Sequence, residues 1–130
     1  VMGPRVLSAQ IRDPSVEDNY APAPVADCRA YAHCHRTQLG DVSLVVLNGA
    51  SRVARRVALP DEFASLSRLE YHMTAPSDVF DDRVLLNGIR LDAVDAELAP
   101  RRVAGGPLTL APASYVVVVV EGAKFGPCLG

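Results

Sequence analysis

The chain has 130 residues, which suits one domain with a single hydrophobic core and leaves no room for a second domain of ordinary size. Its 13 basic and 15 acidic residues give a net charge of −2, whereas domains that bind nucleic acid usually carry a basic excess, so we expect no nucleic-acid partner. The longest apolar run is the five valines at residues 116–120, and a membrane-spanning helix needs roughly 20 apolar residues, so no membrane span is expected.

The apolar residues are of the kind that favours strands. Valine occurs 18 times, tryptophan is absent, and ten prolines and nine glycines divide the chain into short segments. β-Branched residues in short segments are typical of an all-β domain. The first residues lack the basic start and the long apolar stretch of a signal peptide, and the chain does not begin with Met. We therefore interpret the chain as a piece of a longer precursor or as a processed chain.

The N-terminal third contains two predicted strands separated by a long connection. Residues 5–11 predict a short strand, and the Pro- and Asp-rich residues 12–27 predict an exposed loop. The motif CRAYAHC at residues 28–34 alternates, which predicts a strand whose inner face carries small residues. Residues 42–47 are almost continuously apolar, as in a strand that is buried on both faces.

The middle of the chain predicts two further strands. Residues 52–59 predict a strand with basic outward positions, and Pro60 ends it. Residues 67–73 alternate strictly, which predicts an amphipathic strand. Its apolar residues are expected to face the core and its charged residues to face solvent. The predicted inward set is Leu69, Tyr71 and Met73, and the predicted outward set is Arg68, Glu70 and His72.

The C-terminal part carries a hairpin signal and the most strongly apolar strand. Residues 84–91 hold Asn-Gly between two short apolar runs, which predicts a β-hairpin. Residues 93–107 read as irregular, residues 108–110 as a brief strand and residues 114–121 as a central strand. About eight short strands with turns between them indicate a single antiparallel β-sandwich domain over residues 1–130.

Three cysteines leave two interpretations open. Cys34 ends one predicted strand, Cys128 lies two residues from the C-terminus, and Cys28 leaves an odd count. A bridge that encloses most of the domain would remove roughly 4–5 kcal/mol of unfolded-chain entropy. The alternative is three buried thiols in a reducing compartment.

No pattern in the chain predicts a catalytic residue, a metal site or a cofactor site. The serine-nucleophile and phosphate-loop motifs are missing, and the acidic residues fall in loops and turns, where carboxylates are solvated. His33, Cys34 and His35 are adjacent, but neighbouring strand residues point to opposite faces and would not share one ion.

Arginine clusters are the remaining candidate for binding. Arg52, Arg55 and Arg56 form a small basic patch that suits a polyanion such as a sulfated glycan. Arg101 and Arg102 form a second basic pair. The alternative for both clusters is that the arginines are solvated or paired with nearby acids.

The order of several motifs resembles the C-terminal region of heparanases, which belong to glycoside hydrolase family 79. The resemblance spans almost the whole chain. Its motifs are VMGPRVL at residues 1–7, RAYAHC at 29–34, GDVSLVVLN at 40–48, LEYHMTAP at 69–76, LLNGIRL at 85–91 and PLTLAPASYVVVVV at 107–120, followed by Cys128.

This resemblance implies a β-sandwich that packs against a (β/α)8 barrel, with residues 1–7 as the junction. It also implies a disulfide between Cys34 and Cys128, with Cys28 free or paired outside this chain. The family hydrolyses internal β-glucuronide bonds, in heparan sulfate of the extracellular matrix for the animal enzymes, with two barrel glutamates. Those glutamates lie upstream of this chain, so Glu62, Glu70 and Glu97 inherit no role. A secreted or lysosomal location follows from the same resemblance.

The sequence therefore leaves two alternative functions. The first is an accessory domain, without an active site, of an active or inactive heparanase-like enzyme. The second is an independent module that binds carbohydrate or protein, which an exposed aromatic surface would favour. Tyr31 and Tyr115 are the strand aromatics outside the predicted inward face of residues 67–73, and one of the two is expected to be buried.

Overall fold

The computed structural model describes residues 2–18, 21–24, 27–75, 84–90 and 100–130. These residues form twelve strands, all paired antiparallel, and one short α-helix. The predicted all-β, antiparallel class is thus confirmed. The strands are β1 (Met2–Leu7), β2 (Arg12–Asp18), β3 (Ala21–Pro24), β4 (Cys28–His35), β5 (Val42–Asn48), β6 (Arg55–Val57), β7 (Arg68–Thr74), β8 (Leu85–Leu86), β9 (Ile89–Arg90), β10 (Arg101–Val103), β11 (Leu108–Leu110) and β12 (Ser114–Val120), and the helix is α1 (Asp61–Ala64).

Eight of the strands form the main sheet, in the order β1-β4-β5-β12-β7-β8-β9, with β10 also paired to β7. Its centre is the antiparallel pair β5 and β12, in which Val42 lies opposite Val120 and Asn48 opposite Ser114. These are the two most continuously apolar segments of the sequence, and they occupy the central positions that such segments favour. At the β1 edge, Gly3 lies so close to β4 that a Cβ atom would stand 2.5 Å from the carbonyl oxygen of Cys34.

The second layer of the sandwich is much smaller than the main sheet. It consists of the two-stranded sheet β6–β11, helix α1 and the C-terminal segment with its 3₁₀ turn, Gly126–Cys128. Leu108 and Leu110 of β11 are fully buried, and Phe63 of α1 meets Phe125 edge-on with ring centroids 5.6 Å apart. These side chains pack on the inner face of the main sheet, which carries Val42, Leu44, Val46, Val116, Val118 and Val120.

The Asn-Gly hairpin is confirmed as β8 and β9. Asn87 and Gly88 have φ angles of 48° and 82°, the left-handed conformation that a two-residue hairpin turn requires and that this residue pair favours. The Asn87 side chain also ties the hairpin to β7, because its Oδ1 accepts from the backbone of His72 and its Nδ2 donates to the carbonyl of Glu70.

The predicted orientation of β7 is wrong. Its register places Arg68 opposite Val120 and Glu70 opposite Val118, so the charged residues share the inner face with the valine core. Arg68 and Glu70 are 1% and 3% exposed, whereas Leu69, Tyr71 and Met73 lie on the outer face and are half-buried. The inversion is tolerated because the buried charges neutralise one another, as described below.

Other boundaries also differ from the sequence prediction. The described part of residues 12–27, predicted as a loop, forms the ribbon β2–β3, whose two strands have no other partner in the described chain. Free edges tolerate proline, which explains why this Pro-rich segment can form strands. The predicted strand over residues 52–59 shortens to β6, and β10 lies within the predicted irregular stretch. Residues 93–99 of that stretch lie outside the described residues.

Candidate functional site

The two ends of the domain are joined by a disulfide between Cys34 and Cys128, with 94 residues of sequence separation and 5.3 Å between the Cα atoms. Cys34 lies at the end of β4 on the inner face, and Cys128 ends the 3₁₀ turn that packs beside it. Arg5 of β1 reinforces this end by donating to the carbonyl oxygens of Pro127 and Gly130. The structure thus contains the pairing that the family resemblance implies.

Cys28 is a free and buried thiol at the other end of β4. It lies on the same face as Cys34, six residues away, which corresponds to about 20 Å along a strand. Burial, reinforced by the charge of Asp27, raises the pKa of the Cys28 thiol. A protonated thiol at this distance does not exchange with the disulfide.

The three arginines of the predicted basic patch do not form one surface cluster in the structure. Arg55 lies opposite Leu110 on the inward side of β6, and its guanidinium bonds the carboxylate of Asp27 at 2.5 Å. That hydrogen bond lowers the pKa of Asp27. Arg52 and Arg56 are exposed, and Arg56 lies on the other side of β6 from Arg55. One of the three arginines is therefore committed to an internal ion pair.

A charged network is buried on the inner face of β7. Arg68 donates through Nε to Oε2 of Glu70 at 2.6 Å, and Nε2 of His72 lies 2.6 Å from Oε1 of the same carboxylate. The remaining guanidinium nitrogens of Arg68 donate to the carbonyl oxygens of Gly106 and Pro107. Arg101 of β10 adds a longer contact to Glu70, at 3.4 Å. Every nitrogen of the buried guanidinium thus has an acceptor.

The surroundings of Glu70 are unsuited to general acid catalysis. Burial acts to raise its pKa, but hydrogen bonds from His72 and Arg68 and the charge of Arg68 outweigh it, and the pKa falls from 4.5 to about 2. A carboxylate held ionised in this way cannot supply a proton near neutral pH. Glu62 is exposed on α1, and Glu97 lies outside the described residues.

The described part of the chain contains neither a cluster of metal-ligating side chains nor a membrane-spanning helix. Within it, no group of three or more His, Cys, Asp or Glu side chains is placed to hold a metal ion. Cys34 is engaged in the disulfide, His33 bonds the carbonyl of Gly3, and Nδ1 of His35 accepts from the backbone of Thr37 and Gln38. None of the helices in the described ranges is long and apolar enough to cross a membrane.

A cavity of about 800 Å³ separates the two layers near β6. The inner faces of β4 and β5 line one side with Ala30, Ala32 and Leu44, and the opposite side includes Leu59 and Phe63. Residues 7–11, which connect β1 to β2, form a third wall, and exposed residues such as Gln10 and Glu62 border the cavity, which therefore reaches the protein surface. The small residues predicted for the inner face of β4 explain why this space is not filled by the sheet itself.

The outer face of the main sheet carries three tyrosines. The pairings place Tyr31, Val45, Val117 and Tyr71 in one row across four strands, and Arg29, Leu47, Tyr115 and Met73 in the next. Tyr31 and Tyr115 are 55% and 42% exposed, and Tyr71 is half-buried. The prediction that one of Tyr31 and Tyr115 is buried is wrong. We refer to these eight residues as the tyrosine face.

Sequence reasoning missed the tyrosine face because it assigned Tyr71 to the core. The one available signal was in β5 and β12, which are apolar on both faces, although the outer face of a two-layer antiparallel sheet is normally polar.

Comparison with known proteins does not identify a family. No family model and no curated protein matches the sequence. Among solved structures, the chain is similar to the thermostable GH51 α-L-arabinofuranosidase from Thermotoga petrophila RKU-1, with a TM-score of 0.48 and 18% identity over 78% of this chain. The similar region is 20% of that enzyme's length. At this level the similarity carries no conclusion about activity.

Proposed function

We propose that this chain is the C-terminal accessory β-domain of a heparanase-like glycoside hydrolase, and that it stabilises a catalytic (β/α)8 barrel rather than acting on substrate. The barrel would hydrolyse β-glucuronide bonds in heparan sulfate or a related glycan. The proposal rests on the motif resemblance and on one structural observation, the cavity between the layers.

The cavity is the space that a partner segment would fill. The cavity is open to the surface and largely apolar, and its volume of about 800 Å³ is within the range of clefts that enclose a bound group. Its third wall, residues 7–11, directly follows the stretch that the resemblance assigns to the barrel junction. A part of the same parent protein is therefore well placed to complete the second layer.

The disulfide supports a location outside the reducing cytosol. Disulfides persist in oxidising compartments and on secreted proteins, and this one is buried at the base of the sheet. A secreted, extracellular or lysosomal site of action is the corresponding part of the proposal.

We expect the isolated chain to self-associate as its concentration rises, because the apolar cavity walls attract a second copy when the parent protein does not cover them. Sedimentation velocity over a concentration series measures this directly. Ile11→Lys, which places a charge in the cavity wall, is expected to reduce association. Val6→Lys, at a residue that is 69% exposed, serves as the matched control. A monodisperse monomer at high concentration would contradict the accessory-domain proposal and favour an independent module.

The purified chain is expected to release no product from heparan sulfate or from an aryl β-glucuronide, because Glu70 is held ionised in a buried ion pair and Glu62 is exposed. Reducing-end and chromogenic assays measure this. Turnover that follows the concentration of this chain, and that disappears in Glu62→Gln or Glu70→Gln, would overturn the assignment.

A further inference from the structure

Four exposed side chains lie at the end of the domain that the disulfide closes. Arg36 and Leu39 belong to the loop between β4 and β5, and Lys124 and Leu129 belong to the segment after β12. We refer to these four residues as the disulfide-end patch. We propose that the disulfide-end patch binds the surface of a bilayer that contains anionic phospholipids. Such a contact needs no membrane-spanning segment, and none of the four residues lines the cavity that the accessory-domain proposal uses.

The two segments that carry the patch meet at Gly40. This glycine exchanges two backbone hydrogen bonds with the C-terminal segment. A Cβ atom on Gly40 would stand 2.9 Å from Cδ2 of Leu129 and 3.1 Å from Cα of Lys124. Leu39 directly precedes Gly40 in the chain. The two leucines and the lysine therefore belong to one small area of surface, although they are far apart in sequence.

The apolar side chains of the patch project from ordered backbone. Leu39 is 74% exposed, more than any other large apolar side chain that the structure describes, and Leu129 is 47% exposed. A backbone bond from His35 to Asp41 closes the loop that carries Leu39, and Nδ1 of His35 accepts from two further N–H groups of the loop. A leucine that is held in solvent by an ordered loop can enter an apolar phase without the entropic cost of ordering that loop.

The two cations of the patch are not engaged within the domain. Both Arg36 and Lys124 are exposed, and no carboxylate of the described residues pairs with either. The carboxylate of Asp41, at the end of the loop, accepts from the backbone of Gly122. Arg5 lies at the same end of the domain, but it donates to the C-terminal segment and is not counted. Each cation near an anionic bilayer surface strengthens binding about fivefold.

The backbone of Lys124 is an independent indication that its side chain has a role. Its φ angle is 48°, in the left-handed region where glycine has no steric cost and lysine does. The fold alone would therefore favour glycine at this position. Attraction to an anionic surface gives a reason for the positive charge that the packing of the domain does not supply.

The size and composition of the patch favour a bilayer over other partners. A stable protein–protein interface uses about 20–30 residues on each side, far more than the patch offers. A soluble polyanion would bind the cations and leave the leucines in water. A bilayer accepts both, because apolar side chains enter the boundary between headgroups and acyl chains while cations stay at the level of the lipid phosphates.

The test is co-sedimentation of the oxidised full chain with vesicles. One set consists of phosphatidylcholine alone, and the other is an equal mixture of phosphatidylcholine and phosphatidylserine. The protein is kept below the concentration at which sedimentation velocity shows self-association. We expect binding to the anionic vesicles, no binding to the neutral ones, and weaker binding as salt is added. Inorganic phosphate at the ionic strength of a chloride control should displace the protein no more than chloride does.

Three variants test the individual side chains. Leu39→Ser should weaken vesicle binding about tenfold, because it removes the most exposed apolar side chain. Arg36→Ser and Lys124→Gly should each weaken it about fivefold and reduce its dependence on salt. Lys124→Gly also suits the left-handed backbone, so its denaturation midpoint should equal or exceed that of the parent. A loss of binding in this variant cannot then come from a loss of fold.

The matched control for Lys124→Gly is Ala113→Gly. Ala113 has the same φ angle of 48° but precedes β12 at the opposite end of the main sheet, so this variant should bind vesicles as the parent does. Equal loss of binding in both glycine variants would overturn the proposal, as would equal binding to neutral and anionic vesicles or no binding to either. Self-association that Leu39→Ser abolishes while no vesicles bind would identify a protein interface instead. These outcomes require neither the barrel nor a glycan and so do not depend on the accessory-domain proposal.

Discussion

Replacing Cys34 and Cys128 together by serine is expected to lower the free energy of unfolding by about 2–5 kcal/mol. The bridge spans 94 residues of sequence, and in the chain-entropy model a loop of about 100 residues gives roughly 4.7 kcal/mol. Urea denaturation without reductant, followed by far-ultraviolet circular dichroism, measures the loss.

The matched control is Cys28→Ser, which changes a buried cysteine and leaves the bridge intact. Its cost is expected to be smaller, because it alters one side chain and no covalent connection. Peptide mapping under non-reducing conditions should recover residues 34 and 128 in one cross-linked peptide. Equal stability of the double variant and the parent, or free thiols at both positions, would contradict the structural role of the bridge.

Replacing Glu70 by glutamine is expected to destabilise the fold by about 3–5 kcal/mol, because it leaves the guanidinium of Arg68 buried without a counter-ion. Arg68 is 1% exposed and cannot reach water to compensate. Chemical denaturation near pH 7 measures the effect. Glu62→Gln, at an exposed carboxylate of α1, should change stability by no more than about 0.5 kcal/mol.

The Glu70 carboxylate also makes the free energy of unfolding depend on pH, and the direction of that dependence can be predicted. The pKa of Glu70 is lower in the folded protein, about 2, than its ordinary value of 4.5. Its contribution to stability is therefore fully present above about pH 4.5 and is lost as the pH falls from 4.5 towards 2. We expect the difference in stability between the parent and Glu70→Gln to shrink through this window. A difference that stays constant from pH 7 to pH 2 would contradict the ionised state of Glu70.

A double variant separates the ion pair from simple packing. Arg68→Met combined with Glu70→Leu removes both charges and keeps apolar volume, and buried ion pairs replaced in this way are often tolerated. We expect it to be more stable than Glu70→Gln alone. The double variant can also be compared with Arg68→Met and Glu70→Leu made singly. If the double variant loses the sum of the unfolding free energies that the two single variants lose, the two side chains are not energetically coupled.

The strongly patterned segments were predictable from the sequence. β5 and β12 were identified by their continuous apolar residues, and the hairpin β8–β9 by Asn87 and Gly88, whose local preferences agree with the tertiary structure. In each of these segments a single local signal is strong enough to determine the secondary structure. Contacts with the rest of the chain therefore do not alter it.

The orientation of β7 could not be predicted, because it depends on pairing rather than on composition. Alternation identifies two faces but does not say which one meets the core when the neighbouring central strand is uniformly apolar. All of residues 116–120 of β12 are valine, so β12 accepts either face of β7. The orientation depends on partners remote in sequence, the carbonyl oxygens of Gly106 and Pro107 that accept from Arg68.

The candidate binding surfaces could not be predicted for the same reason, because they too depend on strand pairing between distant parts of the chain. Arg55 and Arg56 looked equivalent in sequence, and only the register of β6 against β11 shows that one faces inward towards Asp27. The tyrosines of the tyrosine face lie up to 84 positions apart in sequence, from Tyr31 to Tyr115, and no local motif connects them.

The position of the disulfide also determines how the domain responds to mechanical load. Tension that enters through the chain before β1 and leaves after Cys128 passes along β1 and β4 to Cys34 and then directly across the covalent bridge. Residues 35–127 lie in a closed loop outside that path, so pulling can extend only residues 1–34 and the last two residues. At about 3.4 Å per residue this segment stretches to roughly 120 Å, against about 440 Å for the reduced chain. Pulling on the two ends of the oxidised chain would therefore detach β1 and β4 from the main sheet. The closed loop that contains β5, β7 and β12 would carry no tension along its backbone.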